Sequence, residues 1–405
     1  MNIIGIVCEY NPFHNGHAYH LMMSRQALGE DTAVICVMSG DFMQRGEAAV
    51  YSKFARAEAA CRCGANLIIE LPLPWSLSSA ESFARGSVGL LSAMGATHLS
   101  FGSETGEIEP LKKLSELLIK PEFNEKIKDI LNRDGNLSFA AARQIAVEEE
   151  LGELSQQLEL PNNILAIEYL KAIYELQLPI VPMTVQRFGS GHDRECGGSG
   201  PKSASELRNM LKMGKNLSEH IPEKAEKIYL REREQGRELT DKSLLEIAML
   251  SRLRMFDEEY FENIPDGGDG AGRRLYKAVR EEGGLDGVLS AAKTKRYALS
   301  RIRRMCLNAC LGVKKGMNDG IPPYARVLAA DSRGCEIIKE AGKKETIPII
   351  TKPASVKALD NNCQTIFNLG ASAHDFYVLG RKATGERRSG ADFRQSPVII
   401  TKSQE

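Results

Sequence analysis

Two histidines three residues apart, His14 and His17, with Gly16 between them, follow closely on the apolar run NIIGIVC at residues 2–8. Only seven histidines occur in 405 residues, and a third of this group, His20, comes one helical turn later. At a strand-to-helix turn, imidazoles can donate to phosphate oxygens, glycine lets the backbone come close to a ligand, and the helix N-terminus adds partial positive charge. That combination suits the charge that develops on a leaving pyrophosphate. Neither the GxGxxG of a dinucleotide reader nor the GxxxxGK of a phosphate-cradling NTPase occupies the turn. The competing reading is that His14 and His17 only cap and pack the first helix. His20 reads as surface or core filler.

Regular alternation surrounds this turn. The runs at 2–8, 32–38, 66–72 and 97–101 are short and rich in β-branched residues, as strands buried on both faces are. Helical patterns lie between them, two ending on a glycine where a helix C-terminus favours one. Strand, helix, strand at this spacing predicts right-handed crossovers and a doubly wound parallel α/β sheet, with ligands at the carboxyl ends of its strands. Residues 107–180 read as helical, 181–188 as one more strand, and 189–202 as a glycine-rich stretch unable to pack a core. A helix opens at Ser203, amphipathic helices fill about 220–316, and 324–351 reads as a strand, helix, strand unit of its own. The expected divisions are 1–215, with the insertion at about 107–180, then 216–320 and 321–405.

Composition excludes several classes. Lys plus Arg and Asp plus Glu both number 53, so any nucleic-acid site must come from local clustering. Hydrophobic residues make up 42%, as in a globular protein, and no apolar run approaches the roughly 20 residues needed to span a bilayer. With no secretory signal pattern, the expected location is the cytoplasm. Nine scattered cysteines complete no metal-ligand spacing and read as reduced, mostly buried thiols, with no protein-held metal.

The apolar strand followed by NPFHNGH resembles the HIGH-motif nucleotidyltransferases. More closely, GIVCEYNPFHNGHAYH, MSGDFMQRGEAAVYSKFARAEAA, ELPLPWSLSSAESFARG, SFGSE, PNNILAIEYLKAI, QRFGSGHD and SASELR stand in the order and spacing of the bacterial tRNA(Met) cytidine acetate ligases. The match is dense in the first half and looser through KTKRYALSRIRRM and RVLAADSRGCEIIKEAGKKETIPIITK. The resemblance implies an ATP-dependent ligase that activates acetate as acetyl-adenylate and acetylates N4 of the wobble cytidine of elongator tRNA(Met). It implies an ATP site at Val7, Cys8, Glu9, Tyr10, Asn11, Pro12, Phe13, His14, Asn15, Gly16, His17, Ala18, Tyr19 and His20, with Gly102, Asn162, Arg187 and Phe188. His14, His17, Ser205 and Arg208 would carry catalysis, the last two from a Ser-rich turn that binds phosphate. Ser203 and Glu206 also stand at capping-box spacing, and a capped helix N-terminus is itself a phosphate site. Asn162 could be only an N-cap, with Asn163 as its competitor. His192 has no assigned role. Magnesium is expected to accompany ATP through phosphates and water.

Two further clusters carry charge. Asp41, Gln44, Arg45, Lys53 and Arg56 follow the second strand, and one of these cations could hold acetate or the α-phosphate; a solvated helix face is the alternative for Lys53 and Arg56. Between 287 and 318 no Asp or Glu occurs, while Lys293, Lys295, Arg296, Arg301, Arg303, Arg304, Lys314 and Lys315 do. This reads as a footprint on RNA phosphates, with Tyr297 as a stacking partner, against a merely solvated basic face. A plain adenylyltransferase would leave the second half without a task, and a class I synthetase would need a Lys-Met-Ser-Lys-Ser type motif that is absent.

Overall fold

The computed structural model describes residues 2–134, 137–187 and 202–401. The expected strands are present as β1 (Ile3–Cys8), β2 (Ala33–Ser39), β5 (Leu67–Leu71), β6 (His98–Ser103) and β7 (Val181–Gln186), and a small hairpin of β3 (Phe42–Met43) and β4 (Glu47–Ala48), not expected from the sequence, follows β2. The C-terminal part adds β8 (Ala325–Ala330), β9 (Ile349–Ile350) and β10 (Val398–Ile399). Strand order is β10-β8-β5-β2-β1-β6-β7, with β9 beside β8. From β5 to β7 every neighbouring pair is parallel.

Alternation within β2 shows why a run without polar residues forms a central strand. Ile35 and Val37 enter the core under one helical layer, while Val34, Cys36 and Met38 enter the core under the other. Four helices, Glu109–Leu118, Pro121–Arg133, Phe139–Leu151 and Pro161–Glu175, fill the insertion between β6 and β7. The last of them buries Leu170 and Ile173 in the same core as Val88 and Leu91. Residues 223–311 are six helices whose own core, including Leu253, Phe261, Leu275 and Met305, continues onto Phe42 and Leu77 of the first part.

The strand, helix, strand segment read at 324–351 as a unit of its own is continuous with the main sheet. β8 lies antiparallel along β5, pairing Leu67 with Ala330 and Glu70 with Arg326. All five residues of β5 are buried, so its outer edge needs a hydrogen-bonding neighbour, and the fully buried β8 supplies one. The described cysteines are unpaired and mostly buried, with Cys335 exposed.

Candidate functional site

Winding reverses between β1 and β6, which opens a crevice at the carboxyl ends of these strands. A cleft of about 120 Å³ lies there, lined by His14, Gly16, His17, Tyr19 and His20 after β1, Gly102 of β6, Val185 to Arg187 at β7, and Lys202 and Ser203. His14 is extended (φ −144°, ψ 175°) and N-caps the helix Asn15–Leu28. Its Nδ1 accepts the Gly16 amide at 3.0 Å, and Nδ1 of His17 accepts the His14 amide at 3.3 Å. Capping and phosphate chemistry are therefore compatible: with Nδ1 engaged as an acceptor, the proton of each neutral ring resides on Nε2.

These rings are neutral at physiological pH. Burial, then the charges of Arg187 and Arg208, lower the His14 pKa to about 4. Burial and the neighbouring His14 ring, 3.8 Å away between centroids, hold His17 well below the usual imidazole range. His20 is not surface filler: it lines the cleft, bonds Ser100 Oγ through Nε2 at 2.9 Å, and is lowered to about 4 by burial and Arg187. An unfolded chain takes up these protons near 6.5 and the folded one does not, so stability should fall as pH drops from 6.5 towards 4. The loss of melting temperature between pH 7 and pH 5 should be smaller in His20→Gln than in the parent; equal losses would contradict it.

The remaining residues of the 7–20 stretch divide between cleft and support. Tyr10, Asn11, Pro12 and Phe13 are buried: Tyr10 reaches Cys36 Sγ at 3.4 Å, Asn11 Oδ1 accepts the Val50 amide, and the Phe13 amide donates to Tyr229 Oη. Cys8 is buried, whereas Val7 and Ala18 are half-buried. The Glu9 carboxylate accepts the Gln44 amide at 2.8 Å, and burial raises its pKa. Asn15 is tied by its backbone and side-chain amides to the carbonyls of His220 and Glu219.

On the opposite wall, Gly102 is required by a close approach. A Cβ there would lie 2.9 Å from Cγ of Arg187, so glycine lets that side chain cross the strand end. Arg187 donates to Asn162 Oδ1 at 2.9 Å, and Asn162 Nδ2 donates to Glu104 Oε1 at 2.7 Å. Asn162 is not an N-cap: its helix begins at Pro161 with Leu160 as the capping residue. Glu104 instead receives the amides of Asn162 and Asn163, and Asn163 is a buried clamp bonded to Glu104 and Gln157. Phe188 and His192 lie outside the described residues.

The helix Ala204–Lys212 carries the expected capping box, Ser203 with Glu206. Arg208 donates to the Asn11 carbonyl and to Ser205 Oγ, both at 3.0 Å, which joins the Ser-rich turn to the histidine turn. Sequence reasoning missed Lys202, half-buried on the cleft wall, and Glu104; Lys202 stood in a glycine-rich stretch read only as unable to pack a core, and its place next to Ser203 is what marks it.

The segment after β2 is mostly buried structure and not a solvated face. Lys53 and Arg56 are neither a solvated face nor open to a ligand: they are 1% and 0% exposed. Arg56 donates to the carbonyls of Glu9, Ser39, Gly40 and Tyr51, pinning the ends of β1 and β2. Lys53 Nζ lies 2.8 Å from Glu70 and 2.9 Å from Asp392, and Arg326 lies 3.0 and 2.7 Å from the same two carboxylates. Burial works against the Lys53 charge, but Asp392 and Glu70 outweigh it and hold the ammonium above its ordinary range. Asp41 caps this region, bonded to the Lys53 amide and to His374 Nδ1. Arg45 is exposed and Gln44 half-buried.

The acid-free stretch also divides. Lys293, Lys295, Arg296, Lys314 and Lys315 are exposed. Arg304 is 8% exposed and ion-paired with Asp266, Arg301 donates to the Asp266 carbonyl, and Arg303 to Glu47. Tyr297 is buried with its hydroxyl donated to the Asp269 carbonyl, so its ring is not presented for stacking. Gly46 (φ +76°) packs against the backbone of Arg303 and Arg304 where any Cβ would collide. The helix Leu299–Leu311 is therefore docked onto the β3–β4 hairpin beside the site.

No helix among the described residues is long and apolar enough to cross a membrane. The family described as HIGH Nucleotidyl Transferase matches residues 1–392. The tRNA(Met) cytidine acetate ligase of Thermosipho africanus is 36% identical over 425 residues, covering 99% of this chain and 100% of the relative. That of Syntrophomonas wolfei is 37% identical, covering 98% and 99%. The crystal structure of Thermotoga maritima TmcAL bound with alpha-thio ATP superposes with a TM-score of 0.91 at 31% identity, over 99% of this chain and 100% of that one. With histidine turn, switch-point cleft and Ser-rich helix in these positions, the chain belongs to the HIGH nucleotidyltransferases and, within them, to the tRNA(Met) cytidine acetate ligases.

Proposed function

We propose that this protein is an ATP-dependent ligase that activates acetate as acetyl-adenylate and transfers the acetyl group to N4 of the wobble cytidine of elongator tRNA(Met). The observation that carries the reading is the pair of neutral imidazoles whose Nδ1 atoms are engaged, leaving two Nε2–H donors in a cleft rimmed by Arg187, Lys202 and the helix N-terminus at Ser203. An acetate oxygen attacks the α-phosphorus, the bond to the bridging oxygen breaks, and pyrophosphate leaves with its charge met by these donors. The cytidine amine then attacks the acetyl carbonyl, AMP leaves, and the amine gives up a proton. Ser205 and Arg208 close the phosphate side, and Glu104 with Asn162 sets the direction of Arg187. Among the described residues no group of three His, Cys, Asp or Glu side chains could hold a metal. Magnesium would enter with ATP, held by phosphates and water.

Residues 1–215 would house this chemistry in the cytoplasm, with 216–320 supplying RNA contacts and 321–405 closing the sheet. Acetate-dependent pyrophosphate release, followed by acetylation of a tRNA(Met) transcript, tests the reading; release that prefers an amino acid or a phosphorylated acceptor would overturn it. Propionate should be activated detectably but poorly, since a pocket discriminates one methylene by about 1–3 kcal/mol.

For the tRNA, the exposed Lys293, Lys295 and Arg296 are the better contacts, because Arg301, Arg303 and Arg304 already have protein partners. Changing those three exposed residues to Ala should weaken tRNA binding and lower its salt dependence by about one counterion per lost contact, with adenylation intact. Unchanged affinity in filter binding at two salt concentrations would move the RNA surface elsewhere.

A further inference from the structure

A second and larger cleft, about 610 Å³, shares no residue with the histidine site. It is reached by Val398 of β10, whereas the adenylation cleft is reached by Val185 of β7, the opposite edge of the sheet. Those strands are six spacings apart, roughly 29 Å, and the histidine turn after β1 is four spacings from β10, roughly 19 Å. Five arginines line it: Arg231, Arg237, Arg381, Arg388 and Arg394. The first two lie at least 144 residues before the others, so no sequence window reveals the cluster.

The charges are not equivalent. Arg231 is paired with Glu58 and Glu232, and Arg237 with Glu232 and Glu386. Arg381, Arg388 and Arg394 form no ion pair among the described residues, and Arg388 and Arg394 are exposed. Arg381 is only 8% exposed; it spends Nη1 on the Glu386 carbonyl at 2.9 Å, and its Nε is buried without a hydrogen-bond partner among the described residues. Arg381 lines this polar cleft beside Arg388 and Arg394, neither of which forms an ion pair among the described residues, although Arg394 also donates to the Ser389 carbonyl at 2.7 Å; such a gathering of guanidinium groups can receive an anion. The planar forks match phosphate oxygens.

We infer that this cleft binds phosphate groups, supplied by the RNA backbone. A stem-loop can span the distance between the two clefts, which a single nucleotide cannot, so a phosphodiester bound here would orient an RNA whose target base enters the histidine site. The RNA source rests on the function proposed above; the phosphate chemistry of the cleft does not.

The test uses the full chain with two variants. Arg388→Ala/Arg394→Ala removes exposed groups that support no core, and Arg381→Gln removes the buried one. Affinity for a tRNA(Met) transcript is read by fluorescence anisotropy at low and moderate salt, beside acetate-dependent pyrophosphate release without RNA. The double variant should bind RNA about tenfold more weakly with a shallower salt dependence, and adenylate normally. In a second arm, inorganic phosphate alone is tested for thermal stabilisation of parent and variants. Unchanged RNA affinity with phosphate stabilisation lost in both variants would assign the cleft to a small phosphorylated ligand. Unchanged RNA affinity and unchanged phosphate stabilisation in the double variant would overturn the site. Absence of acetate-dependent release from the parent protein would instead count against the proposed ligase reaction, and leaves both arms readable.

Discussion

His14→Ala should slow acetate-dependent pyrophosphate release by about 10²–10³-fold, the usual cost of losing one donor aimed at developing charge. His17→Ala should do the same. Each ring holds the other's neighbourhood in place, since Nδ1 of His17 accepts the His14 amide and Nδ1 of His14 accepts that of Gly16. The double variant should therefore lose much less than the product of the two single losses. Because the rings act as neutral donors, the parent rate should be flat between pH 8 and pH 6 with respect to these groups, as the His14 value of about 4 requires. Stability should change little: the cap is worth about 1 kcal/mol. Near-parental pyrophosphate release from both single variants would remove the histidine pair from the mechanism.

The second large effect is on stability. Lys53→Met should destabilise the protein by about 3–5 kcal/mol, the penalty for leaving buried charge without its partner. Its ammonium lies between Glu70 and Asp392, both nearly inaccessible, and Arg326 alone would then face two carboxylates. Asp392→Asn added to Lys53→Met should recover part of that loss, because one carboxylate again balances one guanidinium. Urea unfolding followed by circular dichroism measures both. A Lys53→Met protein within 1 kcal/mol of the parent, a margin typical of exposed pairs, would mean that the four groups are not held as described.

Local chemistry was readable in the sequence where it was also local in space. The histidine turn, the capping box at Ser203 and Glu206, and the alternation of β2 depend on residues a few positions apart, so periodicity and spacing carry them. Long-range pairing was not readable. Arg303 and Arg304 stood in an acid-free window, yet their acids are Glu47 and Asp266, at separations of 256 and 38 residues. Lys53 and Arg56 read either as ligand cations or as a helix face in water because nothing nearby announces Asp392 or the carbonyls of Ser39 and Gly40. Asn162 and Asn163 were indistinguishable as letters; only Glu104, reaching across from the end of β6, separates the residue that turns to Arg187 from the one that locks the helix.

The antiparallel docking of β8 against β5 bears on how the protein is made. A ribosome delivers the N-terminal strands first, but β5 gains its outer neighbour only after residue 330 has emerged, and Lys53 has its Asp392 partner 339 residues after itself. Until then the nascent nucleotide domain carries an open strand edge, and Lys53 has only Glu70 of its two acidic partners. Completion of the first-made half therefore waits on the last-made quarter, and a chain released early, for instance at residue 320, should be a substrate for chaperones or proteases, with no working adenylation module.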